Sequence, residues 1–175
     1  MTPIIRQFHS DDAYPFLEAV LETANDAYRW LPWCHPGYTI EDSRKWINLQ
    51  GDFWQAGIQY SFLIVDEESG KILGGTGLNA IHPEHRFANL GYWVRKSQMN
   101  KGIATAAGIQ TIEFAFKTLK LNRVEILMAT DNLASKKAAI KIGAAYEGVA
   151  RNKLSLHDKF VDAFVFAVVR GDWNL

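Results

Sequence analysis

The sequence predicts one α+β domain, and three observations carry that expectation. Residues Gly91 to Thr105 pass from an apolar strand through a short polar turn into a helix, and a further strand follows at Arg123–Ala129. Short apolar runs separated by turn residues recur on both sides of this unit, as the strands of a sheet do. No linker-like stretch divides the chain, and its 175 residues fit one domain with a real core.

Taken in order, Ile4 to Phe8 reads as an opening strand. Ser10-Asp11-Asp12 then caps a helix that reaches about Arg29, because short polar side chains accept from the first turn of a helix. A loop rich in rings follows, Trp30-Leu31-Pro32-Trp33-Cys34-His35-Pro36-Gly37-Tyr38. Thr39-Ile40-Glu41-Asp42 forms a capping-box-like start to a second helix, which ends near Gln55. Tyr60–Asp66 and Lys71–Asn79 make a hairpin around Glu67-Glu68-Ser69-Gly70. Gly74, Gly75 and Gly77 in its second strand mark a bulge or a close backbone approach. Phe87–Val94 is the central strand.

The long helix that opens at Gly102 carries Ile109, Ile112, Ala115, Phe116 and Leu119 on one face. Lys117 and Lys120 point elsewhere, as a solvated face requires. The helix fades at Leu121-Asn122, and in the strand Arg123–Ala129 the residues Val124, Ile126 and Met128 share one face. Asn132 is placed to cap a short helix and Gly143 to end it. Two strands close the chain, about Ala145–Leu156 and Phe160–Val169, joined through His157-Asp158-Lys159. The total is about seven strands and about four helices.

Composition narrows the function. Hydrophobic residues at 48% and charged residues at 22% are ordinary for a soluble globular protein. No apolar run approaches the ~20 residues of a membrane span. The opening Met-Thr-Pro-Ile-Ile-Arg-Gln lacks the basic-then-apolar pattern of a secretory signal. The single cysteine, Cys34, excludes an internal disulfide and points to a reducing compartment, so the expected location is cytoplasmic. It is read as a buried free thiol.

Net charge is zero but unevenly spread. Residues 1–90 hold twelve Asp/Glu and six Lys/Arg, and residues 91–175 hold seven and thirteen. The basic half, with Lys96, Lys101, Lys136, Lys137 and Lys141, suits an anionic ligand near the Gly102 turn. The acidic half suits a cationic amine. Chance clustering on a solvated surface is the bland alternative. A neutral chain with its lysines spread over two helix starts is a poor nucleic-acid binder. His82-Pro-Glu-His85 lacks a third and fourth ligand, so no metal is expected. Gly102 stands alone, without the Gly-x-Gly-x-x-Gly of a dinucleotide site.

The turn at Gly102 carries chemistry. The first N–H groups of a helix have no intrahelical partner, and the helix dipole makes that end positive. A glycine there lets an anion approach the backbone, so the turn is a candidate phosphate cradle. On spacing alone, one glycine leaves a purely structural βαβ unit equally open.

Two segments together go further. Met99-Asn100-Lys101-Gly102-Ile103-Ala104 fits Gln/Arg-x-x-Gly-x-Gly/Ala, with Met99 in place of a side chain that can donate to phosphate. Asp131 to Ala144 adds Asn132-x-x-Ser135. With Gly91-Tyr92-Trp93 in the central strand, Gly102-Ile103-Ala104-Thr105 at the helix start, and Glu147-Gly148, they resemble the GNAT N-acetyltransferase superfamily. The match is narrowest to its RimJ/RimL branch, which acetylates ribosomal-protein N-termini. The resemblance spans roughly residues 72 to 173.

It implies a mostly antiparallel, splayed sheet and the transfer of an acetyl group from acetyl-CoA to an amine, with no metal. The implied cofactor-binding set is Trp93, Val94, Lys96, Met99, Asn100, Lys101, Gly102, Ile103, Ala104, Thr105, Asn132 and Ser135. The backbone of Asn100 through Thr105 would hold the pyrophosphate. Trp93, Val94 and Lys96 would line the pantetheine, with the Val94 N–H on the thioester carbonyl, and Asn132 would also touch the pantetheine. Ser135 would protonate the leaving thiolate, because the tyrosine that many members use falls at Ala139 here. No single residue stands out as the base, and water relaying the proton to the acidic half is as open as any side chain. The central strand has no carboxylate, and the final-hairpin glutamate of RimL-like enzymes aligns with Leu154. Glu84 and Asp162 are the remaining candidates. Trp30, Trp33 and Tyr38, with Glu84, would form the acceptor wall. The expected partners are acetyl-CoA and a protein N-terminal α-amine, with no membrane and no nucleic acid. A small-molecule amine (polyamine or antibiotic), a non-catalytic acyl-CoA-binding module and a homodimer stay open.

Overall fold

The computed structural model describes residues Met1–Trp173. It holds seven strands: β1 (Pro3–Arg6), β2 (Tyr60–Asp66), β3 (Ile72–His82), β4 (Phe87–Val94), β5 (Arg123–Ala129), β6 (Ala145–Leu156) and β7 (Lys159–Val169). Four α-helices join them: α1 (Ala13–Ala27), α2 (Ile40–Ala56), α3 (Ile103–Lys117) and α4 (Leu133–Ile142). All strands form one sheet in the order β1-β2-β3-β4-β5-β7-β6. Every neighbouring pair is antiparallel except β4 and β5. The expected α+β fold, with a mostly antiparallel sheet and four helices, is the observed one.

Where boundaries differ from the sequence reading, local chemistry explains the difference. The first helix opens as a 3₁₀ turn at Ser10–Asp12 and becomes α-helical only at Ala13. Asp12 is drawn back to Arg6, at 2.7 Å from both terminal guanidinium nitrogens, and to the His9 N–H at 2.7 Å. It therefore ties the turn to β1 instead of capping the α-helix. The second helix does start on a capping box. Asp42 N donates to the Thr39 hydroxyl at 3.3 Å, and the Asp42 carboxylate accepts from Thr39 N at 2.9 Å. β3 runs on to His82 through a bulge in its pairing with β4, where Ala80 takes a positive φ of 49°.

The helices sit on both faces of the sheet. Consecutive strand residues point to opposite faces, and Leu63 and Ile64 show the division. Leu63 packs with Phe16, Ala19, Val20 and Ala24 of α1. Ile64 packs with Ile103 and Ala107 of α3. The largest buried cluster joins Leu90, Val124, Ile126 and Phe166 of the sheet to Ile112, Ala115 and Phe116 of α3 and to Ala139 and Ile142 of α4. Cys34 is fully buried against α1. Burial pushes its thiol up to about 11, which suits a packing residue and not a nucleophile.

One irregularity of the sheet positions everything that follows. β4 and β5 pair over only Phe87, Ala88 and Asn89 opposite Arg123, Val124 and Glu125. Beyond that, β4 stays with β3 as far as Gly74↔Val94, and β5 stays with β7 as far as Ala129↔Ala163. Each tail follows its own neighbour, and the sheet twist carries the two apart. The sheet opens in its middle.

The glycines of β3 serve this arrangement by close approach. A Cβ on Gly77 would stand 2.6 Å from the Tyr60 carbonyl oxygen and 3.0 Å from Ser61 Cα, and one on Gly75 would stand 2.6 Å from Trp93 Nε1. Gly51, inside α2, has nothing within 4 Å. The same substitution should therefore act in opposite directions. Gly77→Ala must push backbone apart and should cost about 1–3 kcal/mol. Gly51→Ala should stabilise by about 0.5–1 kcal/mol through helix propensity. Urea unfolding midpoints of the two variants check both signs.

Candidate active site

The splay between β4 and β5 is a cleft of about 720 Å³. Its walls are Leu90, Tyr92 and Val94 of β4, Ile126 to Ala129 of β5, the turn that leads into α3, and the start of α4.

The turn into α3 is a nest of backbone donors. Asn100 and Gly102 both take positive φ, 63° and 78°. Gly102 is the N-cap of α3, and no side chain caps the helix. The first intrahelical bond runs from Ala106 N to the Gly102 carbonyl at 3.0 Å. Among the described residues, the N–H groups of Asn100 through Thr105 meet no acceptor. They sit together at the positive end of a fifteen-residue helix. A Cβ on Gly102 would touch nothing within 4 Å. The glycine is there for its left-handed backbone and for the bare approach it leaves. Met99, Asn100, Gly102, Ile103, Ala104 and Thr105 all line the cleft.

Two lysines of the expected set do not. Lys101 turns back so that Nζ donates to Gln98 Oε1 at 2.9 Å. Lys96 Nζ pairs with Asp26 at 2.8 Å, and that carboxylate holds the ammonium above its ordinary value. Lys137 and Lys141 of α4 reach the cleft instead.

On the strand side, Arg95 N donates across to the Leu73 carbonyl at 2.7 Å. N–H directions alternate along a strand, so the Val94 N–H points the other way, into the cleft. Trp93 and Val94 both line it. On the helix side, Asn132 caps α4 by accepting from Ser135 N at 3.1 Å. Ser135 Oγ lies 3.2 Å from the Tyr92 hydroxyl, which also donates to the Ser135 carbonyl at 3.0 Å. Burial raises the Tyr92 phenol against a smaller opposing effect of the Ser135 hydrogen bond, so the hydroxyl stays protonated. The sequence marks Tyr92 only through its place in Gly91-Tyr92-Trp93. The available signal was its polar tip, on the face otherwise occupied by Leu90 and Val94. Ala139 is fully buried in the core, and Leu154 lines the cleft.

A second cavity, about 460 Å³, lies beside β4 and shares Leu31, Asn79, Gly91, Tyr92 and Trp93 with the first. Its wall is aromatic. Trp33 meets Trp93 edge-on at 5.8 Å and Tyr38 at 6.1 Å. The expected acceptor wall is thus only partly together. Trp33 and Tyr38 line this cavity, but Trp30 lines the cleft, with the Arg29 guanidinium 4.3 Å above its ring. The chain reverses at the end of α1, where Trp30 N and Leu31 N both donate to the Ala27 carbonyl, and this separates the rings.

Two expectations are corrected. Glu84 lines neither cavity. It sits in the exposed turn between β3 and β4, at the end where β4 and β5 are still paired. The acidic half does not present free carboxylates from α1 either. Glu18, Glu22 and Asp26 form one stripe at i, i+4 and i+8. Glu18 and Glu22 both bind the buried Arg95 guanidinium, Glu22 also accepts from Ser97 N at 2.8 Å, and Asp26 takes Lys96. Among the described residues, Asp26 is the one carboxylate that lines the cleft.

No group of three or more His, Cys, Asp or Glu among the described residues is arranged to hold a metal ion. No described helix is long and apolar enough to cross a membrane.

Comparison with known proteins adds the following. The acetyltransferase (GNAT) domain family matches residues 4–145. A ribosomal-protein-serine acetyltransferase of Escherichia coli is 26% identical over 153 residues, covering 87% of this chain and 84% of its own. Among solved structures, Mycobacterium smegmatis RimJ in complex with CoA-disulfide superposes with a TM-score of 0.88 at 22% identity, covering 99% of this chain and 84% of its own. A microcin self-immunity acetyltransferase, MccE, in complex with acetyl-CoA and AMP, also gives 0.88 at 21% identity, with 96% and 92% covered. At these identities the structural likeness is one of fold.

The Arg95 clamp has an acid signature. Burial alone would raise the Glu22 carboxyl, but hydrogen bonds from Ser97 and Arg95 outweigh it and hold it down at about 2, against an ordinary 4.5. A carboxyl depressed by folding stabilises the fold above its unfolded value and stops doing so as pH falls through the folded one. That contribution should be present above pH 4.5 and fade toward pH 2. Glu22→Gln should lower Tm at neutral pH and flatten the loss of Tm across that window. Melts followed by circular dichroism test this, and an unchanged acid slope would remove Glu22 from the clamp.

Proposed function

The chain belongs to the GNAT acetyltransferase family, and from that premise we propose that it transfers an acetyl group from acetyl-CoA to a protein N-terminal α-amine. One observation carries the reading. The open edge of β4 leads directly to the unpartnered N–H groups at the start of α3. Together they offer a channel for an extended arm that ends in phosphates. The same reading takes the whole chain as one acetyltransferase domain that works in the cytoplasm.

Each step then falls to residues of the cleft. The N–H groups of Asn100 through Thr105 hold the pyrophosphate, without a side chain from Met99. Lys137 and Lys141, on the cleft wall, add positive charge. The Val94 N–H donates to the thioester carbonyl, and this bond strengthens as charge develops on that oxygen. Asn132 keeps Ser135 at the start of α4 through its cap. Ser135 gives its proton to the departing thiolate, and the proton that the attacking nitrogen sheds as the amide forms makes up the loss, passed on through the Tyr92 hydroxyl 3.2 Å from Ser135 Oγ.

Among the described residues, the one carboxylate that lines the cleft, Asp26, is paired with Lys96, so the amine has to arrive neutral. An α-amine, with a pKa near ~8, is neutral far more often at pH 7 than a lysine near ~10.4. This favours an N-terminus over an internal lysine. The relative named a ribosomal-protein-serine acetyltransferase supports the same choice.

Acetyl-CoA with a peptide panel, read by mass spectrometry, tests the reading. Acetylation should fall on N-termini, and its rate should rise with pH as the amine loses its proton. Modification confined to lysine side chains would overturn the acceptor. Ser135→Ala should lower kcat by about 10-fold or more with acetyl-CoA affinity kept, and Tyr92→Phe should lower it less. Gly102→Val should weaken acetyl-CoA binding. Gly143→Val is its control, because Gly143 also has a positive φ with nothing within 4 Å but lies at the far end of α4. Equal acetyl-CoA affinity in the two variants would place the phosphates elsewhere.

A further inference from the structure

The aromatic cavity beside β4 is the feature that the acetyl-transfer chemistry leaves unused. Its position makes it the approach to the reacting centre. The two cavities meet at Gly91 and its neighbours on β4. Gly91 has no side chain, and a Cβ there would find only Asn79 Nδ2, at 3.9 Å. A glycine in a strand with open space above it marks a place where a ligand comes close to the backbone. An amine at Gly91 would lie between the cleft and the aromatic cavity, and whatever carries that amine would extend into the latter.

The chemistry of the wall says what that carrier is. Trp33, Tyr38, Trp46 and Trp93 supply most of the accessible rings, and Trp33 is 41% exposed at the rim. Two of its polar side chains are already engaged. Gln59 Nε2 donates to Ser61 Oγ at 2.7 Å, and the Asp42 carboxylate accepts from Thr39 N and from the Thr39 hydroxyl at 2.8 Å. Asp42 and Lys45 are its charged residues, and they are of opposite sign. A polyamine would need free carboxylates here. Those of α1 are committed to Arg95 and Lys96. A short residue such as serine would leave a cavity of about 460 Å³ mostly unfilled, with its rings facing water.

From this we propose that the acceptor carries its amine on an aromatic or bulky aliphatic residue, whose side chain fills the aromatic cavity. The proposal rests on the acetyl-transfer reading above and narrows its substrate. Burying such a side chain against rings, in place of a hydroxymethyl group, favours it by about 10-fold or more.

The test uses the whole protein and short peptides that differ only in their first residue: Ser, Ala, Leu or Phe. Spermidine serves as a cationic control. CoA release with acetyl-CoA gives kcat/KM, and a tryptophan-fluorescence titration without acetyl-CoA gives affinity. We expect the Phe and Leu peptides to exceed the Ser peptide by at least about 10-fold in kcat/KM, with spermidine below all of them. Trp33→Ala should shrink the Phe-to-Ser ratio, mainly through KM for the Phe peptide. A Ser or Ala peptide equal to or better than Phe, or spermidine ahead of the peptides, overturns the proposal and leaves acetyl transfer standing. Turnover of no amine, with acetyl-CoA still bound, overturns acetyl transfer instead. The fluorescence titration then decides the cavity: saturable and tighter binding of the Phe peptide upholds the apolar acceptor, and equal binding of Phe and Ser peptides ends it.

Discussion

Arg95 fixes the end of β4, and the open sheet depends on that anchor. Its side chain is only 7% exposed, so its guanidinium has lost most of its water. Such a charge is tolerable only when paired and hydrogen-bonded, and Glu18 and Glu22 of α1 both bind it. Its backbone N–H closes on β3 at the same residue. The tail of β4 is thereby committed to β3 and α1, while β5 is committed to β7. The backbone groups left between them would be a liability in a closed protein. In a cleft they are an unfilled ladder that an extended ligand can complete.

The two-residue period of β4 lets one strand serve both sides. Leu90, Tyr92 and Val94 turn to the α3 and α4 face, where Tyr92 reaches Ser135. Gly91 and Trp93 turn toward α1 and the aromatic cavity. Trp93 packs against Phe16 with ring centroids 6.0 Å apart, above the space that Gly75 leaves. Two ties also cross the outer end of the cleft. Arg29 pairs with Asp131, and a ring nitrogen of His157, in the turn between β6 and β7, lies 2.9 Å from the Tyr28 carbonyl oxygen. The end of α1 is therefore held to the β5 and β7 half across the opening.

Much of the fold was legible in local pattern. β4, β5 and β6 end where periodicity and turn residues put them, because each is bounded by strong local signals. The turn into α3 with its unpartnered N–H groups is legible as well, since a helix start and a glycine are short-range features. The site roles of Asn132 and Ser135 come from the family motif, although Asn132 is also legible as a helix cap. The splay could not be read from the residues, because it is set by which strand each tail pairs with, and pairing is long-range. For the same reason the charge count of the first half misled. The stripe Glu18, Glu22 and Asp26 was visible in the sequence, but its partners Arg95 and Lys96 lie some seventy residues away. Charge alone suggests Glu84 for the site, and the direction of β4 carries it to the closed end. The sequence alone does not single out Tyr92, because a tyrosine in a strand reads as core unless its hydroxyl meets a partner such as Ser135.

The most direct test of the open strand as the acetyl-CoA channel is an amide-resolved titration of the ¹⁵N-labelled protein with acetyl-CoA. We expect the largest shifts at the N–H groups of Asn100 through Thr105 and at Val94, with the antiparallel core of β1 and β2 nearly still. Saturation with these amides unmoved, and shifts gathered at another surface, would contradict it.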